Sequence, residues 1–325
     1  MRKCIWLGVK FICSGSLIWL VLRDVDFATV FLLGKSAKST PILIALILLL
    51  LHVAIAAWRW ALVLNAIDAP LLFRKVLEFS YMSTFFNQVL PSSVGGDVVR
   101  VYMAYKSGLR LGQALNSTIL DRVVSLVSIA VLILLSLPLL FSIIDDFFIR
   151  IALVCATMGV LLGFGLLFYL DKLFIALPRW PFVSDLPALI SDARKTFLLR
   201  RNVFPILGMS ILGHFNLCVT CYLIAFSLDI PISLDECLLL FPPVLLLSSL
   251  PISIAGWGVR EGALVVAFGF VGVVDNSAFT LSVIFGLASI VVNLPAGILW
   301  SVGGKRFQLR RHISGQTAEN RDSQR

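Results

Sequence analysis

The sequence predicts an all-α polytopic membrane protein, with six full spans and two broken, re-entrant helical hairpins arranged as an inverted repeat. Three observations predict this. Hydrophobic residues make up 59% of the 325 and charged residues only 14%, outside the range of soluble domains. Apolar runs of about the 20 residues needed to cross a hydrocarbon core recur along the chain. One short motif also occurs twice, as LPSSVGGDVVR at 90–100 and LPISIAGWGVR at 250–260.

The first apolar run, 4–22, follows Arg2 and Lys3, carries Lys10 and ends in Leu22-Arg23-Asp24. It lacks a small-residue cleavage site, so it reads as an uncleaved span rather than a signal peptide. Further spans fall at 41–64, 118–143, 149–170, 205–227 and 278–303. Two runs, 76–90 and 237–250, are too short to cross, and each ends in the motif. Re-entrant hairpins are therefore expected over 76–106 and 237–274. Each half then reads span, span, hairpin, span, over residues 1–146 and 147–303, followed by a basic, disordered tail at 304–325. Three crossings per half turn the second half upside down relative to the first.

Charge distribution tests this topology independently, because cytoplasmic loops of membrane proteins are enriched in Lys and Arg. With the N-terminus inside, most of the 27 Lys and Arg residues fall in inner segments. The outer segments hold only Arg23, Lys35, Lys38, Arg150 and Arg260. Both termini are thus expected in the cytoplasm, with the chain in a bacterial inner membrane. The inner loop 173–199 mixes Phe174, Leu177, Trp180 and Phe182 with Arg179, Arg194 and Lys195, which suits either an anionic lipid surface or a solvated loop.

Chemistry concentrates at the motifs. Pro91 and Pro251 stop a helix, while Gly95, Gly96, Gly256 and Gly258 let the backbone turn and approach a ligand. A helix starting after the break offers amides and its positive dipole end to an anion such as phosphate, and Arg100 or Arg260 adds bidentate donors. Asp97 is placed either to cap the new helix or to gate a ligand. Arg100 either binds or snorkels to the inner face. Arg260 stands on the side where few arginines are expected, and Glu261 beside it either joins the site or neutralises the arginine. Within the spans, His52, Arg59, Asp121 and Arg122 form a candidate polar path, with Arg59 alternatively snorkelling between Trp58 and Trp60.

Other polar features read more simply. His214 and Asn216 are expected to hydrogen-bond between helices, and Gly159 with Gly163 to permit close helix packing. The six cysteines lie mostly in apolar runs as small hydrophobes, and the Cys218–Cys221 spacing lacks a second ligand pair. Neither metal nor cofactor nor nucleic-acid partner is expected. Asp24-Val-Asp26 has the spacing of a metal-dependent sugar-donor site, but an amphipathic pattern follows it and reads as an interfacial helix.

The segments WRWALVL at Trp58, FNQVLPSSVGGDVVRVYMAYKSG from Phe86, ILDRVVSL from Ile119 and PISIAGWGVREGAL from Pro251 resemble the lysylphosphatidylglycerol synthase transmembrane-region family. The resemblance runs from about Arg23 to Trp300. It implies lipid handling: in the multiple peptide resistance factor, a domain of this kind is linked to lipid translocation and a separate soluble domain modifies the lipid. The sequence contains no counterpart of that soluble domain, which removes the basis for expecting a synthase. The expectation is a lipid flippase or transporter acting on a phospholipid or another phosphate-bearing lipid. Two alternatives stand beside it, a membrane-embedded enzyme and a non-transporting partner of a lipid-synthesis enzyme.

Overall fold

The computed structural model describes residues 37–89, 95–168, 186–249 and 257–322, and their regular structure is entirely helical. The helices are α1 (Ser39–Ala66), α2 (Phe73–Val89), α3 (Gly95–Lys106), α4 (Leu111–Ile143), α5 (Phe147–Leu167), α6 (Leu186–Phe197), α7 (Arg200–Ser227), α8 (Leu234–Ser249), α9 (Val259–Gly269) and α10 (Asp275–Asp322). Five of them, α1, α4, α5, α7 and α10, are long and apolar enough to cross a membrane. The expected span at 4–22, the Asp24–Asp26 pair, Pro91, Pro251 and Gly256 lie outside the described residues.

Helices α1 and α7 have 28 residues each, about 42 Å at 1.5 Å per residue, and exceed a hydrocarbon core of roughly 30 Å. They run antiparallel. The amide of Lys38, just before α1, donates to the Ser227 carbonyl at the end of α7 (2.8 Å), and its ammonium pairs with Asp229. At the far end, Lys195 in α6 binds Asp68, just beyond α1, at 2.7 Å. Asp68 (φ 57°) and Asp229 (φ 54°) both take the left-handed conformation, which aspartate tolerates better than most residues. Each is followed by an amide that reaches back to the last helical turn, Ala69 to Leu64 and Ile230 to Ala225. This wrap satisfies carbonyls that a helix end otherwise leaves open.

Around this pair, α2 packs on α1 and α3 and reaches α10, whereas α8 packs on α7 and α9 and reaches α4. With 17, 12, 16 and 11 residues, α2, α3, α8 and α9 are each too short to cross alone. Helix α5 packs on α4 and exposes Phe148 and Leu162, an apolar surface suited to acyl chains. A Cβ built on Gly159 or Gly163 meets nothing within 4 Å, so among the described residues the expected close packing at these glycines is absent.

Two further expectations change. The segment expected as a disordered tail from residue 304 continues α10 as helix to Asp322. Lys, Arg, Gln and Leu at 305–311 are good helix formers and carry the register beyond the apolar stretch. Of the inner loop, residues 173–185 lie outside the described ones, and residues 186–197 form a helix rather than a solvated loop. As α6, they bury Ile190, Ala193 and Phe197 against the ends of α1, α4 and α7.

The apolar core has two parts. One surrounds Trp60 with Leu64, Leu120, Val124, Phe197 and Ile206, and the other surrounds Phe241 with Ile133, Cys221, Leu264 and Phe268. Between them, on α1, α4 and α7, lie His52, Ser128, Ser210 and His214. A polar belt inside membrane-spanning helices carries an energetic cost that hydrogen bonding must offset, and function is the usual reason it exists.

Candidate functional site

Helix α4 presents Asp121 at the centre of the Trp60 end of the belt. Its carboxylate accepts from Arg59 Nε at 2.8 Å and Nη2 at 3.3 Å, and from Arg100 Nη1 at 2.9 Å. Asp97, in the first turn of α3, accepts from Arg122 Nε at 2.6 Å and pairs with Arg100 at 3.3 Å. The Arg100 guanidinium also lies 4.7 Å from the Trp60 ring centre, a cation–π contact. Taking a charge out of water costs several kcal/mol, and bidentate pairing with a carboxylate is what makes such burial tolerable. Among the described residues, three arginines meet two aspartates here, so guanidiniums outnumber carboxylates by one.

The polar connection continues inward. Arg59 Nη1 donates to Ser210 Oγ (3.1 Å), Ser210 and Ser128 share a hydrogen bond of 2.5 Å, and His214 Nε2 lies 3.1 Å from Ser128 Oγ. His214 therefore bridges α7 to α4, as expected of it. Asn216 does not do the same: its buried Oδ1 has no partner, and only its backbone carbonyl is engaged, by Thr220 within α7.

Several open readings close on this geometry. Arg100 is 6% exposed and does not snorkel. Arg59 does not snorkel between its tryptophans either; Asp121 draws it inward. Asp97 pairs with two guanidiniums. Residues Arg59, Asp121 and Arg122 belong to one hydrogen-bonded cluster, whereas His52 stands apart from it on the wall of a cavity.

At the second motif, Arg260 Nη2 donates to Glu261 Oε1 (2.7 Å) and its Nε to Ser282 Oγ (3.0 Å). Ser282 Oγ in turn donates to Glu261 Oε1 at 3.0 Å. Glu261 neutralises Arg260 inside the protein, while Trp257 and Phe285 flank the guanidinium at 5.1 and 5.8 Å. Gly286 makes room for it: a Cβ there would collide with Arg260 Nη2 and lie 3.1 Å from Trp257.

The amides at both motif glycines are already bonded. Gly96 N donates to Asn87 Oδ1 at 2.9 Å, and Gly258 N donates to Glu261 Oε2 at 2.5 Å. Gly96 sits so close to α2 that a Cβ would run into the Ser83 carbonyl. Gly95 opens α3, and Gly258, at φ 85°, immediately precedes α9. Gly96 thus serves close helix contact and Gly258 backbone turning, and among the described residues an open space occurs elsewhere.

That space is a cavity of about 210 Å³ between α1, α2, α7 and α10. His52, Thr84, Asn87, Gln88, Ser289 and Asn293 supply its polar wall. Thr84 Oγ1 donates to Asn293 Oδ1 (2.7 Å), and Asn293 Nδ2 to the Ser289 carbonyl (2.8 Å). His52 is the midpoint residue of α1, so the cavity lies halfway along the central pair. The sequence reading missed Trp60, Thr84, Asn87, Ser128, Ser210, Ser282 and Asn293. One signal was available, because Asp121 follows Arg100 by 21 residues and Ser282 follows Arg260 by 22.

Comparison with known proteins agrees with this architecture. The chain is 24% identical to a UPF0104 membrane protein of Methanothermobacter thermautotrophicus, over 90% of this chain and 92% of the relative. Residues 5–297 match the model of the lysylphosphatidylglycerol synthase transmembrane region, so the chain is a multi-pass membrane protein belonging to that family.

Proposed function

We propose that this protein moves an anionic or phosphate-bearing lipid between the leaflets of the inner membrane, with both termini cytoplasmic and the two halves related as an inverted repeat. The observation that carries the reading is the cavity halfway along α1, where polar side chains share the wall with apolar ones at a depth where lipid-embedded helices would otherwise be apolar. Transporters characteristically bind at the junction of such repeats, near the midplane and beside broken helices.

The packing supports the repeat. Each contact has a counterpart: α2 on α10 with α8 on α4, α3 on α4 with α9 on α10, and α1 on α2 with α7 on α8. The left-handed turns at Asp68 and Asp229 form another matched pair. An anionic lipid is favoured by the excess of guanidiniums over carboxylates in the arginine cluster, whose partly exposed end is Arg122. Headgroup passage through the cavity, with acyl chains left in the bilayer, requires no covalent chemistry, so we read the protein as a transporter rather than an enzyme.

The test is movement of a labelled phospholipid between leaflets by the purified, reconstituted protein. Transfer above protein-free vesicles is expected, and Arg260→Ala should slow it. Absence of transfer, together with co-purification of a lipid-synthesis enzyme, would replace this reading with that of a non-transporting partner.

A further inference from the structure

We infer that the central cavity grips the uncharged, multiply hydroxylated part of a lipid headgroup, such as a glycerol or sugar, rather than a phosphate or an ammonium group. This rests on the lipid-transport reading for its physiological meaning, but the binding chemistry stands on the wall itself. The polar side chains of the lining are Asn87, Gln88 and Asn293, joined by Thr84, Ser289 and His52. Among the described residues, no Lys, Arg, Asp or Glu is part of it.

The charged groups that would hold a bare phosphate are engaged elsewhere. Arg59 and Arg100 share Asp121, and Arg260 is bound to Glu261. An ammonium headgroup would need a carboxylate or an aromatic cage, and the wall has neither. Amide and hydroxyl side chains both donate and accept, which is the bonding pattern that polyol hydroxyls present in return.

Fixed hydrogen bonds orient the wall. Asn87 Oδ1 accepts from Gly96 N, leaving its NH₂ as a donor pair. Asn293 commits Oδ1 to Thr84 and one N–H to Ser289, leaving the second N–H. Leu49, Val53, Leu217 and Val292 add apolar surface suited to the C–H faces of a polyol. At about 210 Å³ the space holds several waters, yet is smaller than the roughly 300–1,000 Å³ of drug-sized pockets. Its size suits a headgroup fragment.

The experiment offers the full-length protein an equimolar mixture of glucosyl diacylglycerol, phosphatidylglycerol, phosphatidic acid and phosphatidylethanolamine with matched chains. Retained lipid is read by native mass spectrometry, and leaflet transfer of each lipid is measured in vesicles. Retention of the glucosyl and glycerol lipids should exceed that of phosphatidic acid and phosphatidylethanolamine about tenfold, the equivalent of roughly 1.4 kcal/mol. Asn293→Ala and the near-isosteric Thr84→Val should each erase that preference; the second guards against a folding defect in the first. Equal retention of phosphatidic acid, or an unchanged preference in correctly folded Thr84→Val, overturns the inference. Selective retention without transfer of any lipid supports the inference and defeats the transport reading, whereas equal transfer and retention of all four lipids does the reverse.

Discussion

Asp68 and Asp229 close the two central helices with the same left-handed turn, and each is held by a lysine that precedes the other helix. The two contacts lie at opposite ends of an antiparallel pair about 42 Å long. If the charge-derived topology is right, they face opposite compartments. In a cysteine-free background, Asp229→Cys should react with a membrane-impermeant maleimide added outside intact cells. Asp68→Cys should react only after permeabilisation, and the opposite pattern would invert the assigned orientation.

The Lys195 contact has a defined pH window. Its ammonium, hydrogen-bonded to Asp68, holds that carboxyl below its ordinary value of 3.8, and the same contact raises Lys195 above 10.5. The carboxylate contribution is complete above the unfolded value and is lost as pH falls through the lowered folded one. The lysine contribution is complete below its unfolded value and lost as pH rises through the raised one. The stability difference between the wild type and Asp68→Asn should therefore stay flat from about pH 5 to 9 and shrink below about pH 4, as read by thermal unfolding in detergent.

Asp121 holds two guanidiniums, whereas Ser282 assists one that already has Glu261. Removing one partner from a buried ion pair costs about 3–5 kcal/mol, and a neutral hydrogen bond contributes about 1 kcal/mol. Asp121→Ala should lower thermal stability severely and Ser282→Ala mildly. Equal losses would mean that the arginine cluster relaxes into water when its hub is removed.

Gly96→Ala would force a methyl into the Ser83 carbonyl, and Gly286→Ala would force one into Arg260. The first should prevent α2 and α3 from packing and reduce folded yield. The second should displace Arg260 while preserving most stability, reproducing the transport defect of Arg260→Ala. Gly159→Ala, which meets no neighbour within 4 Å, is the control and should leave both yield and transport unchanged.

Much of the fold was legible because membrane spans are written locally, as uninterrupted apolar length. The expected spans 41–64 and 205–227 fall within α1 and α7, and the motif positions coincide with the breaks between α2 and α3 and between α8 and α9. The arginines and Asp121 stood out as charges in apolar surroundings. Their partners did not, because Arg59 finds Asp121 across 62 positions and Ser210 across 151. Serine, threonine and asparagine are unremarkable in a helix until the fold aligns them. The helix contact of Gly96 was hidden for a related reason: a bare backbone serves a ligand or a neighbouring helix equally well, and the proximity of Ser83 and Asn87 is visible only in the fold.

The packing order has a mechanical consequence. Going from α2 to α10, α9, α8, α4, α3 and back to α2, every neighbour touches the next, so the contacts of these six helices close into a hoop. A hoop has no free end at which a displacement can dissipate. If the two halves are an inverted repeat, as proposed, a tilt of α2 and α3 would press on α10, and through it on α9 and α8, which would gear the two halves to one another.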